Sequence, residues 1–374
     1  MPRLDDDARQ HAASGKRVLN SDELVALSEQ GAAGKHVGLL LALAGCVVVA
    51  IALASFCLGR YGVPLQEVAA AFGTMFQHLL AGEGLRFDDA AATVVVNYRL
   101  PRVLAALLVG AALAVAGASY QGVFRNPMVS SDILGASAGA GFGASVAILL
   151  GAPGVVVQLA AFACGMLAVA ITYAIGNAVG RGNSATLALV LAGIVVQALF
   201  QAFIGCAKYM ADPYSQLPEI TYWLMGSLAT VSFDDIKLMI VPLVLGCVVL
   251  MALRWRINVL TFGDQEAQAL GVDTRKLRLA VIVCATLVTG SAVSVAGQVG
   301  WVGLVIPHLA RMIVGPNYRH LLPASLIMGS GFLLLVDDVA RNVMQMEIPL
   351  GILTAIIGAP VFVFLLLKGK RGWS

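Results

Sequence analysis

The chain has 374 residues, 59% hydrophobic and only 12% charged, with a formal net charge of +3 and a mean hydropathy of +0.87. Soluble domains carry about a quarter of their residues as charges, so this composition excludes an ordinary soluble enzyme and a nucleic-acid-binding surface. It points to an all-α polytopic membrane protein, and the 40 glycines fit that class.

Residues 1–36 form a polar tail, so no secretory signal is expected. Asn20 and Glu23 have capping-box spacing for a short helix there. From residue 37 to 374 the chain reads as one membrane domain. Apolar runs predict ten spans: about 37–58, 101–122, 133–151, 155–179, 186–206, 236–254, 277–298, 301–315, 320–339 and 350–367. Segment 59–98 separates the first two. The eighth run is short and holds Pro307, which predicts a bent or broken helix. The third opens "GASAGAGFGA", whose glycines at 135, 139 and 143 suit close helix packing.

With the N-terminus inside, 17 of the 24 Lys and Arg fall on the inner side and 7 on the outer. The excess predicts that both termini are cytoplasmic. A shift of 180 residues superposes Ala105–Pro127 on Ala285–Pro307, pairing Gly110 with Gly290, Ala116 with Ala296 and Gly117 with Gly297. Five spans separate the copies, which predicts an inverted repeat of the second to fifth and seventh to tenth spans, a transporter signature.

Chemistry-bearing residues are few. The six cysteines are scattered and read as helix fillers. Gln158, Asn177, Gln197, Gln201 and Gln298 are neutral polar residues within spans or at their ends. Asp337 and Asp338 stand near the outer end of the ninth span. They read as a solvated helix end, or else as the acids of an ion-coupled secondary transporter. His308 and Arg311 in "PHLAR" share a helix face; His308, like Tyr209 and Met210, reads as structural rather than as a haem ligand. No phosphate-binding loop occurs, so any ATP chemistry belongs to a partner. The charged stretch "LTFGDQEAQALGVDTRKLR", 260–278, interrupts the apolar runs. Gly263 and Gly271 bracket a short helical run that Asp264 can cap, and Ala267 and Leu270 give it an apolar face. It reads as a helix for a groove on a partner, or as a solvated loop.

The stretches "NYRLPRVLAALLVGAALAVAG", "FRNPMVSSDILGASAGAGFGA", "GQVGWVGLVIPHLARMIVGPNYRHLLP" and "EIPLGILTAIIGAP" closely resemble the permeases of ABC importers for iron chelates and cobalamin, from about residue 37 to 370. The resemblance implies a non-catalytic subunit of the bacterial inner membrane, moving a ferric siderophore or haem inward. Cobalamin or an oxyanion such as molybdate is the alternative cargo. It implies a second copy of the chain, a cytoplasmic ABC ATPase dimer and a periplasmic substrate-binding protein as partners. ATP and Mg would sit on the ATPase, with no cofactor in this chain. Two short coupling helices at about 258–275 would dock the ATPase through Thr261, Phe262, Gly263, Asp264, Glu266, Ala267, Leu270 and Gly271. Arg99, Arg102 and Arg341 would dock the binding protein, membrane anchoring being the competing reading. Asn126, Ser184 and Thr186 would form a cytoplasmic gate, with turn capping as the alternative.

Overall fold

The computed structural model describes residues 21–59, 61–82, 87, 89–180 and 185–369. Asn20, the rest of the tail before it and Ser184 lie outside these. The chain divides into a unit Met1–Leu43, helical over its described part, and a unit Ala44–Ser374 that holds every contact and site discussed below.

The described residues form thirteen helices and no strand: α1 Ser21–Cys57, α2 Leu65–Ala81, α3 Ala90–Phe124, α4 Ala136–Leu149, α5 Gly154–Val179, α6 Ala185–Met210, α7 Gln216–Met225, α8 Phe233–Leu260, α9 Asp264–Ala269, α10 Thr274–Ala296, α11 Val302–Val314, α12 Tyr318–Asn342 and α13 Leu350–Gly369. Seven have an apolar stretch long enough to cross a bilayer, within α1, α3, α5, α6, α8, α10 and α12. The shorter apolar helices α4, α11 and α13 occupy the remaining predicted spans. The second span differs from expectation: its helix starts near Ala90, and Val94–Arg99 is a π-helical turn. Pro307 lies inside the continuous helix α11. The amphipathic α2 and the short α7 fill segments with no predicted element.

Contacts follow the repeat. α3 packs on α12 and, reciprocally, α10 packs on α5. α3 packs on α11, and α10 on α4. The pairs α4–α5 and α5–α6 have counterparts in α11–α12 and α12–α13, and α3 meets α10, its own copy. The copies diverge after Ala116 and Ala296: α3 stays helical to Phe124, whereas α10 ends at Gly297, with φ +68°.

α3 is the buried centre. From Val109 to Phe124 every residue is buried, and most are Ala, Gly or Val. Between apolar helices in lipid, association rests on close packing rather than on a hydrophobic gain. Two backbone contacts supply that packing. A Cβ on Gly117 would lie 2.7 Å from Gly303 Cα of α11, and one on Gly329 of α12 would lie 3.0 Å from the carbonyl carbon of Gly110. Gly139 and Gly143 do the same between α4 and α5: a Cβ on Gly139 would lie 2.6 Å from Ala168 Cβ, and one on Gly143 2.8 Å from Cys164 Cβ.

Replacing Gly117 with Ala should therefore cost about 1–3 kcal/mol or more through overpacking. Gly205→Ala, where an added Cβ meets nothing within 4 Å, should be neutral. Thermal unfolding of the two variants in detergent checks this. Equal melting temperatures would mean that α3 and α11 are not held at backbone distance.

Candidate functional site

At one end of the bundle, three guanidiniums and three carboxylates meet. Arg102 of α3 makes a fork to two acids: Nε and Nη2 donate to Asp337 at 2.9 Å, while Nη1 and Nη2 donate to Glu347 at 2.8 and 2.9 Å. Asp337 on α12 is fully buried. Arg341 donates to Asp338, and also to Ser55 O and Oγ at 2.7 and 2.6 Å. Ser55 Oγ in turn donates to Asp338 at 2.7 Å. Arg99 donates to the carbonyls of Phe56 and Tyr61. The cluster ties the end of α1 to the start of α3 and the end of α12.

This corrects two expectations. Asp337 and Asp338 are not a solvated helix end, since they are buried and paired with Arg102 and Arg341. Arg99 and Arg341 are 5% and 6% exposed and the Arg102 side chain 11%, so none of the three presents a free guanidinium to a binding protein. Desolvating a charge is costly unless partners surround it, and here the partners are internal. The spacing of Asp338 and Arg341, i and i+3 on one helix, was a signal for that pair. Nothing in the sequence announced Ser55 or Glu347.

At the opposite end, α8 runs into α9 through a tight turn. Thr261, Phe262 and Gly263 donate their N–H groups to Asn258, Val259 and Leu260 at 3.2–3.3 Å. Gly263 has φ +129° and Gly271 φ +79°, a left-handed region that glycine tolerates. Gly263, not Asp264, stands at the cap position. Asp264 instead accepts two hydrogen bonds at 3.0 Å from Arg278 Nη2, pinning α9 to α10. Ala267 is fully buried beneath α9, whereas Phe262 and Leu270 are 66% and 63% exposed, so Ala267 and Leu270 do not share a face. One separate short helix is present rather than two, because the flanking residues belong to α8 and α10. Leu270 borders a groove of about 400 Å³ with Trp255, Arg256 and Lys276. Asp273 caps α10 by accepting from Lys276 N at 3.0 Å, and that bond holds its carboxyl below the usual range.

Of the expected gate residues, Asn126 is exposed beyond the end of α3 and accepts from Met128 N at 2.9 Å, a turn cap. Thr186 is half-buried in the first turn of α6. His308 is half-buried with its Nδ1 enclosed and unpaired, and Arg311 donates to Gln121 at 3.0 Å. Tyr209 and Met210 are exposed. Among the described residues no group of three His, Cys, Asp or Glu could hold a metal.

A cavity of about 630 Å³ was not anticipated. It is lined by Ser130, Ser131, Asp132, Ser137 and Gln298, with Leu224, Met225, Trp301, Ile352 and Ile356, and contains no Lys or Arg. Asp132, in the turn between α3 and α4, accepts from Ser137 N at 2.6 Å and from Gln197 Nε2 at 3.4 Å. Enclosure there pushes its carboxyl up to about 6, against the pull of the Ser137 bonds.

The helical bundle and its repeat define an integral-membrane transport subunit, and the comparisons name its kind. The FecCD transport family matches residues 46–368, and the chain belongs to it: an ABC importer permease. It is 38% identical over 328 residues to the molybdate import permease MolB of Haemophilus influenzae, covering 87% of this chain and 94% of that one. A probable iron chelatin permease of Helicobacter pylori is 38% identical over 327 residues, 87% and 96%. The hemin permease HmuU of Yersinia pestis is 38% identical over 292 residues, 76% and 86%. A solved metal-chelate type ABC transporter in an inward-facing conformation superposes with a TM-score of 0.78 at 36% identity, 88% and 99%.

Two variants test these sites. Arg102→Met should destabilise by about 3–5 kcal/mol by stranding buried Asp337, and Arg102→Met with Asp337→Leu should recover most of the loss. A double variant no more stable than the single one would show that the pair is not a unit. For Asp132, the folded value lies above the unfolded one, so its contribution is full below the unfolded pKa and is lost as pH rises through about 6. Asp132→Asn should thus be more stable than the parent at pH 7–8, by up to about 3 kcal/mol, with the gap closing near pH 4. A gap independent of pH would contradict this.

Proposed function

We propose that this chain is the non-catalytic, membrane-spanning subunit of an ATP-driven importer for a ferric chelate, a siderophore or haem. Two copies would enclose the pathway in the bacterial inner membrane, with both termini cytoplasmic. A cytoplasmic ATPase dimer, holding ATP and Mg, would dock at the α9 end. The observation that carries this part is the exposed pair Phe262 and Leu270 on an element otherwise rich in charge. An apolar knob at a polar surface marks a contact site. A six-residue helix is unstable alone, and the Asp264–Arg278 bridge with buried Ala267 makes it a rigid body able to transmit a partner's motion. Thr261, Gly263, Glu266 and Gly271 shape the same element. A binding protein would dock at the opposite end, with Arg99, Arg102 and Arg341 positioning that surface from beneath rather than touching it. Asn126, Thr186 and Ser184 remain the proposed gate.

The cargo reading rests on the cavity at Asp132. Its volume of about 630 Å³ and its mixed polar and apolar lining leave room for a bulky chelate. Molybdate is the second reading, favoured by the match to MolB, and cobalamin the third.

The test is to recover the permease from its native membrane in mild detergent and titrate the captured binding protein with hemin, ferric siderophores, cobalamin and molybdate. Tight binding of one iron chelate, with an ATPase in the same complex, is expected. Leu270→Glu or Phe262→Glu should lose the ATPase while keeping the parent melting temperature. Molybdate binding would overturn the cargo; ATPase retained by both variants would overturn the docking element.

A further inference from the structure

A second cleft, between α5, α6 and α10 at the α9 end, belongs to none of the roles above. It has a volume of about 330 Å³ and is lined by Tyr173, Asn177, Leu189, Arg275 and Arg278, with Gly176 and Gly180. No carboxylate lines it. Arg275 Nη2 donates to Asn177 Oδ1 at 3.5 Å, so one cation and one amide already face each other. Arg278 spends only Nη2 on Asp264; its Nε is enclosed without an acceptor among the described residues. The cleft is thus rich in donors and poor in acceptors. Its surroundings are apolar and outward-facing: Ile175 and Val179 on α5, Leu187 on α6 and Leu279 on α10 are all exposed. Cationic groups set among exposed apolar side chains, at the end of membrane helices, match the two halves of a phospholipid.

We propose that this cleft binds the phosphate of an anionic phospholipid headgroup, paired with the Arg275 and Arg278 guanidiniums, with acyl chains lying against Val179, Leu187 and Leu279. Guanidinium is suited to phosphate because its planar fork matches two oxygens at once. The site shares Arg278 with Asp264, so the phosphate and the α9 carboxylate compete for one side chain. A lipid bound there would thereby weaken the Asp264–Arg278 clamp on α9. The binding claim is independent of the ATPase-docking role proposed for α9, and its readout is lipid affinity rather than transport.

The experiment uses the full-length permease in uncharged detergent, titrated with phosphatidylglycerol, with phosphatidylcholine and, separately, with inorganic phosphate, and followed by native mass spectrometry. Phosphatidylglycerol should bind in preference to phosphatidylcholine. R275Q should weaken that binding about fivefold, the value of one cation near a headgroup. K276Q, which removes a neighbouring exposed cation that does not line the cleft, should leave it unchanged. D264N, which removes the competing carboxylate, should strengthen it. R278Q breaks the α9 bridge as well, so Arg275, which is exposed, carries the test. Equal binding of the two lipids, or an equal loss in R275Q and K276Q, would overturn the proposal. Binding of inorganic phosphate that is sensitive to R275Q, without preference for phosphatidylglycerol, would keep the phosphate site and overturn the lipid as its source.

Discussion

How closely α3 lets other helices approach it is the constraint on which the rest of the second unit depends. In lipid there is no water to expel from between two apolar helices, so their affinity comes from packing at short range. α3 meets that demand by being thin: from Val109 to Ala118 it carries nothing larger than Leu113, and Gly110 and Gly117 face Gly329 and Gly303 across backbone contacts. The partner helices α11 and α12 both belong to the second half of the repeat. The same contacts that build the core therefore join the two halves, and the reciprocal contacts of α10 on α4 and α5 complete the pattern.

Glycine contacts set how near the helices come, and the polar groups at the two ends of α3 fix what they carry there. In its first half, Arg102 reaches Asp337 and Glu347, and Arg99 donates to the carbonyls of Phe56, in the last turn of α1, and of Tyr61 beyond it. At its end, the Arg125 guanidinium comes to 3.6 Å from the position a Cβ on Gly263 would take, beside the turn that launches α9. A buried ion pair contributes little net stability once desolvation is counted, but its loss on one side is expensive. Such pairs therefore act on specificity more than on strength: they leave one arrangement of α1, α3 and α12 in which no charge is stranded. The Asp264–Arg278 bridge does the same for α9, with most of its surface left free for a partner.

Much of this was legible in the sequence, for reasons that differ by element. Long apolar runs located ten helices because lipid permits few other solutions. The charged island at 260–278 was conspicuous because it interrupts them. The start of the second span was misplaced by about ten residues, since Asn97 and Arg99 in "NYR" look like a boundary, whereas Arg99 is buried in a continuous helix. α7 had no predicted element because its ten residues fall short of a span; Pro218 lies in its first turn, where a proline leaves the helical hydrogen bonds intact. Arg102 was read as a surface group because its acids lie 235 and 245 residues away in the chain. Asp264 was read as a cap for the same reason: its partner 14 residues on is a neighbour only once α10 has turned back. Periodicity reports which face of a helix is apolar, and it carries no information on which distant charge will arrive there.

The relatives bear on where cargo choice is encoded. Permeases named for molybdate, for an iron chelatin and for hemin each share 38% identity with this chain over most of its length. A tetrahedral oxyanion and an iron porphyrin have almost no recognition chemistry in common. Similarity at the same level to all three therefore singles out no one cargo. The glycines of α3, α11 and α12 and the paired charges at its ends are occupied with holding helices in place. The side chains that line open space are different ones, such as Asp132, Ser137 and Gln298. A scaffold whose paired charges hold its two ends, with few polar side chains in the space between, can change its cargo without changing its fold.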